Sequence, residues 1–233
     1  MTIKDMHYDF KKKLNKVDSQ KHKNILIPEI DWTLNEALGI FVKTVSNPRI
    51  QMFRGFEINQ RSVDDIKPLV IPNEWLNIND NIVTLPDNYW FFVKGKVEIS
   101  KKDCGKVIAS FTPRQQDDDF KDSVFDNSSF KWRNVNGIFY ENKIELFTDG
   151  SFTNNRFKLS YIKLHPYIHN AEDFRNGTYK LPSGEVLENS VNCIFRDDIC
   201  REIVDIAVLL ISGEISSKDY QLKQAKLNLN QLQ

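Results

Sequence analysis

Two stretches of the chain repeat apolar residues at the spacing of a helix that buries one face. The first, IPEIDWTLNEALGIFVKTVSNP at residues 27–48, carries Pro28 where a first helical turn accepts it and ends at an Asn-Pro pair. Its apolar positions lie three or four residues apart, at Ile30, Leu34, Ala37, Phe41 and Val45. Glu29 and Asp31 lie where carboxylates meet the positive end of the helix dipole. The pattern predicts an amphipathic helix of about five turns.

The second stretch, FRDDICREIVDIAVLLISGE at residues 195–214, has the same character near the other end of the chain. Its apolar residues recur at spacings of four, three and four, at Ile199, Ile203, Ile206 and Leu210. Asp197 and Asp198 precede the run, where they suit capping and the helix dipole better than catalysis. Within the run, Cys200 is interpreted as a small buried apolar residue, with a thiol polarised by the helix N-terminus as the alternative.

From about residue 80 the apolar pattern changes to short runs rich in aromatic and β-branched residues. In RFKLSYIKL, Phe157, Leu159 and Tyr161 alternate with polar residues, which indicates a strand with one face in water. The runs GIFY and KIELF, around residues 141–142, predict a hairpin. Residues 170–192 are polar and predict a hairpin or an exposed loop, and VNCIF predicts one more strand.

The order of these elements predicts an α+β fold. Neither apolar helix can cover its own stripe, so we expect the N- and C-terminal helices to form a helical bundle with an antiparallel β domain inserted between them. The expected parts are an N-terminal helical part at residues 1–76, the inserted β domain at 77–196, and a C-terminal helix and tail at 197–233 that complete the bundle.

Composition narrows the classes of partner. The chain has 233 residues, with 32 basic and 32 acidic side chains, so no overall charge favours nucleic acid or membrane binding. Its three cysteines form no CxxC pair, which argues against a disulfide framework and a thiolate zinc site. The charged N-terminus lacks the apolar core of a signal peptide, and no window is apolar enough to span a membrane. We therefore expect assembly in a cytosol and no membrane partner.

The sequence predicts no enzyme, cofactor, metal or catalytic residue. Its nine glycines are never closer than seven residues apart, which excludes GxGxxG, Walker-type and GxSxG loops. His165 and His169 have the spacing of two metal ligands on a helix, but Pro166 disfavours the helix and no HExxH motif is completed. The acidic run at residues 117–119 does not match an EF-hand, and a solvated loop is the preferred interpretation.

Three segments together resemble a known family. NIVTLPDNYWFFVKGKVEI, KLSYIKLHPYI and CIFRDDICREIVDIAVLL follow one another in the order seen in ring and adaptor virion proteins of crAss-like phages, which form the podovirus neck beneath the portal. The resemblance covers roughly residues 80–212, and residues 28–46 resemble the helix that precedes this region in the family.

The resemblance implies a structural subunit of a head-to-tail connector ring in the virion neck. Such a ring would be twelvefold, dock below the portal, contact neighbouring neck or tail ring proteins, extend the DNA channel, and help DNA retention and ejection. DNA would pass through the lumen without sequence-specific binding. The resemblance transfers no individual functional residue. The alternative is a carbohydrate- or ligand-binding β-domain protein of a virion or cell, suggested by Trp75, Trp90 and Trp132, for which core packing is the simpler interpretation.

Overall fold

In a computed structural model of the chain, residues 1–15, 25–46, 64–102, 104–115 and 127–215 can be described. They belong to two compact units. One unit contains residues from Met1–Pro68 and Pro166–Gln233, and we call it the helical unit. The other, Leu69–His165, is the barrel unit. These divisions fall at residues 68/69 and 165/166, whereas the sequence placed them at 76/77 and 196/197.

The helical unit is built on three α-helices: α1 at Ile3–Asn15, α2 at Ile27–Ser46 and α3 at Asp197–Ile215. Both α1 and α2 pack against α3. The predicted apolar stripe of α2 is buried at Ile30, Leu34, Ala37 and Phe41, so this helix prediction is confirmed. The ring of Phe41 meets Phe195 edge-on, with the two centroids 5.9 Å apart. Burial of these stripes holds the three helices together.

The helical unit also contains short strands. Strands β8 at His169–Asn170 and β11 at Ser190–Val191 pair with each other, and β9 at Thr178–Lys180 pairs with β10 at Val186–Glu188. The β9–β10 pair confirms the hairpin expected within residues 170–192. The strand expected over VNCIF is limited to Ser190–Val191, so that prediction is wrong beyond Val191.

The barrel unit contains seven strands: β1 at Val70–Asn79, β2 at Ile82–Thr84, β3 at Tyr89–Lys101, β4 at Gly105–Arg114, β5 at Asn134–Phe139, β6 at Lys143–Leu146 and β7 at Thr153–Lys163. They close in the order β1-β2-β6-β5-β4-β3-β7, with β7 hydrogen-bonded back to β1. The predicted hairpin at residues 141–142 is confirmed as β5–β6. Closure leaves the barrel without an unpaired sheet edge.

The predicted fold class is wrong. More of the described residues lie in strands than in helices, and the chain is mostly β with a closed seven-stranded barrel. It is not a helical bundle carrying an antiparallel β domain. The physical reason is that the periodicity of apolar residues does not determine which strands pair. Strands β4 and β5 pair in parallel, and this pairing allows the sheet to close into a barrel. In addition, the polar segment before α3 folds as short strands within the helical unit.

The barrel interior is packed around Phe111. Its ring meets Phe92, Phe139 and Phe157 edge-on, with centroid distances of 5.7, 5.9 and 5.1 Å. A glycine in β3 leaves room for this ring, since a Cβ at Gly95 would lie 2.8 Å from Phe111 Cδ1. Edge-to-face ring contacts of this kind stabilise an aromatic core beyond its buried area.

The first barrel strand begins earlier than the sequence suggested because a bulge accommodates its proline. The pairing of β1 with β7 shifts register between Ile71 and Glu74, and Asn73 has a left-handed φ of 57°. The Asn73 backbone amide donates to Ser160 Oγ at 3.0 Å. Pro72 therefore lies where the strand ladder is already interrupted, which is where a strand tolerates proline.

Candidate functional site

A fully buried carboxylate lies at the centre of the helical unit. The two oxygens of Asp31 accept hydrogen bonds from the hydroxyl of Tyr179 at 2.7 Å and from the backbone amide of Asn170 at 3.1 and 3.2 Å. His7 Nε2 lies 2.7 Å from Asp31 Oδ1. Asp31 thus ties together α1, α2, β8 and β9. A buried carboxylate is tolerated in a core only with such a set of partners.

The sequence patterns did not predict this network. Asp31 was assigned to the helix dipole at the first turn, but it is buried on the same helix face as Leu34 and Leu38. The available signal was its spacing of three from Leu34 and seven from Leu38, which puts a carboxylate on an apolar face. His7 is also buried, and its Nδ1 has no hydrogen-bond partner among the described residues.

Burial and charge together perturb two tyrosines beside Asp31. Burial raises the pKa of Tyr167 to about 12, and the Asp31 carboxylate contributes to the same shift. The pKa of Tyr179 is also raised, first by burial and then by its hydrogen bond to Asp31. Both phenols therefore stay neutral at physiological pH, and the hydroxyl of Tyr179 remains a donor to the carboxylate. The network acts as a fixed polar connection in an apolar core.

An open groove of about 570 Å³ lies beside this network, and Tyr179 belongs to both. Its walls come from α2, from β9 with the turn that follows it, and from α3; they include Pro28, Trp32, Glu36, Tyr179, Pro182 and Leu210. Trp32 leaves 53% of its surface in solvent, so the mouth of the groove is apolar and accessible. This combination suits an apolar protein segment with a basic rim better than a small polar substrate.

A second accessible surface lies on the outside of the barrel. Trp75 in β1 is 42% exposed, and its ring is covered by Arg156 and Lys158 of β7 at 5.1 and 5.3 Å from the ring centroid. Trp132 is 77% exposed, with Lys131 Nζ 5.5 Å from its ring centroid. Core packing is therefore the wrong interpretation for both tryptophans. Trp90 instead stacks on Phe91, with centroids 4.7 Å apart.

The two histidines considered as metal ligands fall in different units. His165 belongs to the barrel unit, where its ring meets Trp90, and His169 is the first residue of β8 in the helical unit. The ring nitrogens of His169 lie 3.2 Å from the backbone oxygens of Tyr167 and Glu188. Residues 117–119, the acidic run, lie outside the described part of the chain. Across the described ranges, no three metal-ligating side chains come together.

The cysteines are free thiols. Cys200 is fully buried in α3, which confirms its interpretation as a small core residue, and its Sγ donates to the Phe195 backbone oxygen at 3.5 Å. The neighbouring Cys193 thiol and burial both raise the pKa of Cys200. Cys104 is exposed in the barrel unit.

Comparison with known proteins assigns no family to the chain. No family model matches the sequence, and no curated protein matches it. None of the helices in the described ranges is both long and apolar enough to cross a membrane. Function is therefore inferred from the two accessible surfaces and from the sequence resemblance.

Proposed function

We propose that this chain is a structural subunit of a phage head-to-tail connector ring, which docks below the portal, extends the DNA channel and supports DNA retention and ejection. The subunits would assemble in the host cytoplasm and become part of the virion neck. No catalytic step is required of such a subunit. Its partners would be further copies of itself, the portal protein and neighbouring ring proteins.

The observation that carries this proposal is a second apolar stripe on α2. The helix buries one stripe against α3, yet Trp32 and Ile40, eight residues apart, are 53% and 37% exposed. A spacing of eight places both on one helix face, and Glu36 lies between them. Leu26, just before the helix, is 51% exposed. Clustered exposed apolar residues of this kind mark association surfaces.

The chemistry of the two units supports a ring in particular. Head-to-tail association uses two different patches on each subunit, and it closes into a ring when the rotation between neighbours allows. The helical unit offers the apolar groove with Glu29 and Glu36 at its wall. The barrel unit offers the exposed indole of Trp132, with Lys131 Nζ 5.5 Å from its ring centroid. The two surfaces differ in charge and shape, as head-to-tail association requires.

The test is assembly of the full chain, alone and mixed with the portal protein of the same phage. Native mass spectrometry and negative-stain imaging should show a closed ring, or a ring added to the portal. Replacing both apolar residues of the outer stripe, Trp32→Glu with Ile40→Glu, should leave monomers. The matched control is Tyr8→Glu, because Tyr8 is 70% exposed on α1 of the same unit.

Two results would count against the proposal. Wild-type protein that stays monomeric with and without the portal would refute the connector function. A doubly substituted protein that still forms the ring would refute the assignment of the contact to the outer stripe of α2, while leaving the ring itself in place.

The carbohydrate-binding alternative takes second place. Its support is the exposure of Trp75 and Trp132, since sugars stack on open indole faces. Both rings are instead approached by basic side chains at 5.1 to 5.5 Å from their centroids. A glycan array with reproducible hits, lost on Trp132→Ala, would restore this alternative.

A further inference from the structure

The outside of the barrel concentrates basic residues on two adjacent strands. Lys94 and Lys96 alternate with buried residues along β3, and Arg156 and Lys158 do the same along β7. Since successive residues of a strand point to opposite faces, these four side chains share the outer face. Together with Trp75 of β1 they form what we call the basic face.

The register of the sheet places two lysines directly opposite each other. Lys158 pairs with Trp75 on one side and with Lys96 on the other, and Lys96 pairs in turn with Ser110 of β4. Like charges at opposed positions in a sheet are destabilising. The pairing of Lys96 with Lys158 therefore does not stabilise the fold. An anionic partner that binds outside the barrel would explain why two lysines lie opposite each other.

Little negative charge on the barrel neutralises the basic face. Glu98 is the acidic residue in the neighbouring row of β3, and it is shared by Lys106 at 3.3 Å and Arg156 at 3.7 Å. Glu74, next to Trp75, alternates to the other side of β1 and interacts with the Tyr161 hydroxyl. Lys94 and Lys96 have no carboxylate within salt-bridge distance among the described residues.

We propose that the basic face binds the sugar-phosphate backbone of DNA without reading its sequence. Cations repeat about 7 Å apart along each strand and about 5 Å apart between strands, so the face presents a dense charge array to a regular polyanion. A flat row of lysines carries no donor pattern specific for base edges. The indole of Trp75 borders the array, and Arg156 and Lys158 lie over its ring.

This inference goes beyond the connector proposal and does not depend on it. A chain with equal numbers of acidic and basic residues has no overall attraction for DNA, so any attraction has to come from a local face. Binding through about four phosphates weakens by about 100-fold between 50 and 200 mM salt, which allows a transient rather than a permanent hold on DNA.

The experiment measures fluorescence anisotropy of labelled double-stranded and single-stranded 30-mers of scrambled sequence, titrated with the full chain at several salt concentrations. The test variant replaces Lys94, Lys96 and Lys158 with Gln. We expect the slope of log affinity against log salt to become shallower by about two to three, because each phosphate contact contributes about one. Affinity at the lowest salt should fall by at least tenfold for every sequence.

The matched control replaces Lys102, Lys131 and Lys143 with Gln, which removes the same charge from exposed positions of the barrel unit outside the basic face. This control should keep the wild-type slope, and circular dichroism should show both variants folded. Equal losses in the two variants, or no binding by wild type at 50 mM salt, would overturn the proposal. Poly-glutamate binding as tightly as DNA, with the same loss in the test variant, would reassign the face to an acidic protein.

Discussion

The Asp31 network gives the sharpest test of what holds the helical unit together. Replacing Asp31 with Ala removes an acceptor that is fully buried and serves His7, Asn170 and Tyr179. The change also leaves a small void between α1 and α2. We expect the unit to lose a large part of its stability, whereas the same substitution at an exposed acidic residue should have almost no effect.

The magnitude follows from the groups left without a partner. A buried donor that loses its acceptor costs about 1–3 kcal/mol, and three donors meet Asp31. These costs are not additive within one network, so the total lies below the sum of the three separate costs. We therefore expect Asp31→Ala to destabilise the protein by about 3–5 kcal/mol. Asp31→Asn, which retains one acceptor oxygen, should cost about 1–3 kcal/mol.

The assay is urea unfolding of the full chain combined with hydrogen exchange read by mass spectrometry. Peptides from α1 and α2 should lose protection in Asp31→Ala, and peptides from the barrel core should keep theirs. Glu36→Ala is the matched control, because Glu36 is an exposed carboxylate of the same helix and should change stability by less than about 0.5 kcal/mol. A loss below about 1 kcal/mol for Asp31→Ala would show that the network contributes little to folding.

Two further predictions concern the barrel interior and alkaline pH. A Cβ at Gly137 would lie 2.6 Å from the Glu145 backbone oxygen, so Gly137→Ala should destabilise the protein by at least about 1–3 kcal/mol in urea unfolding, whereas Gly39→Ala, with open space in α2, should stabilise by up to about 1 kcal/mol. Equal effects would refute this reasoning. Burial raises the pKa of Tyr161 to about 12, with help from Glu74, so the folded state disfavours its ionisation. In the unfolded chain the Tyr161 phenol ionises from about pH 10. Its contribution should therefore lower the free energy of unfolding by about 1.4 kcal/mol per pH unit between pH 10 and 12. Tyr161→Phe should make the fall shallower in a series of unfolding curves from pH 8 to 11.5, and an unchanged slope would contradict the assignment.

Local patterns were the predictable part of this fold. The stripe at Ile30, Leu34 and Ala37 and the alternation at Phe157 and Leu159 each reflect one element and its own periodicity, and the structure confirms both. Such patterns arise because a single buried face selects the period of apolar residues. They identify helices and strands without fixing how those elements pair.

Closure of the barrel was not predictable from the same patterns. It depends on the parallel pairing of Ser110 with Asn134 across a long connection, part of which lies outside the described residues. It also depends on the bulge at Asn73, which lets the strand continue past Pro72. The apolar pattern predicted strands only from about residue 80, because the register shift that compensates for Pro72 is a tertiary property.

The accessible surfaces could be predicted from the sequence only in part. Tryptophans in strand-like runs were assigned to the core, since alternation does not reveal which face is buried when both faces carry large side chains. The cross-strand position of Lys96 against Lys158 requires the register of two strands that are far apart in sequence. Asp31 could have been recognised from its place on an apolar helix face.

The pairing of Val70 with Ile162 brings the two ends of the barrel unit side by side. A module whose ends are adjacent can be excised and replaced by a short Gly/Ser bridge without stretching the chain on either side. The same geometry lets evolution or an engineer exchange one small β module for another at this point. Such an exchange would change the surface that the barrel unit exposes. The three helices and the buried carboxylate of Asp31 would retain their own contacts.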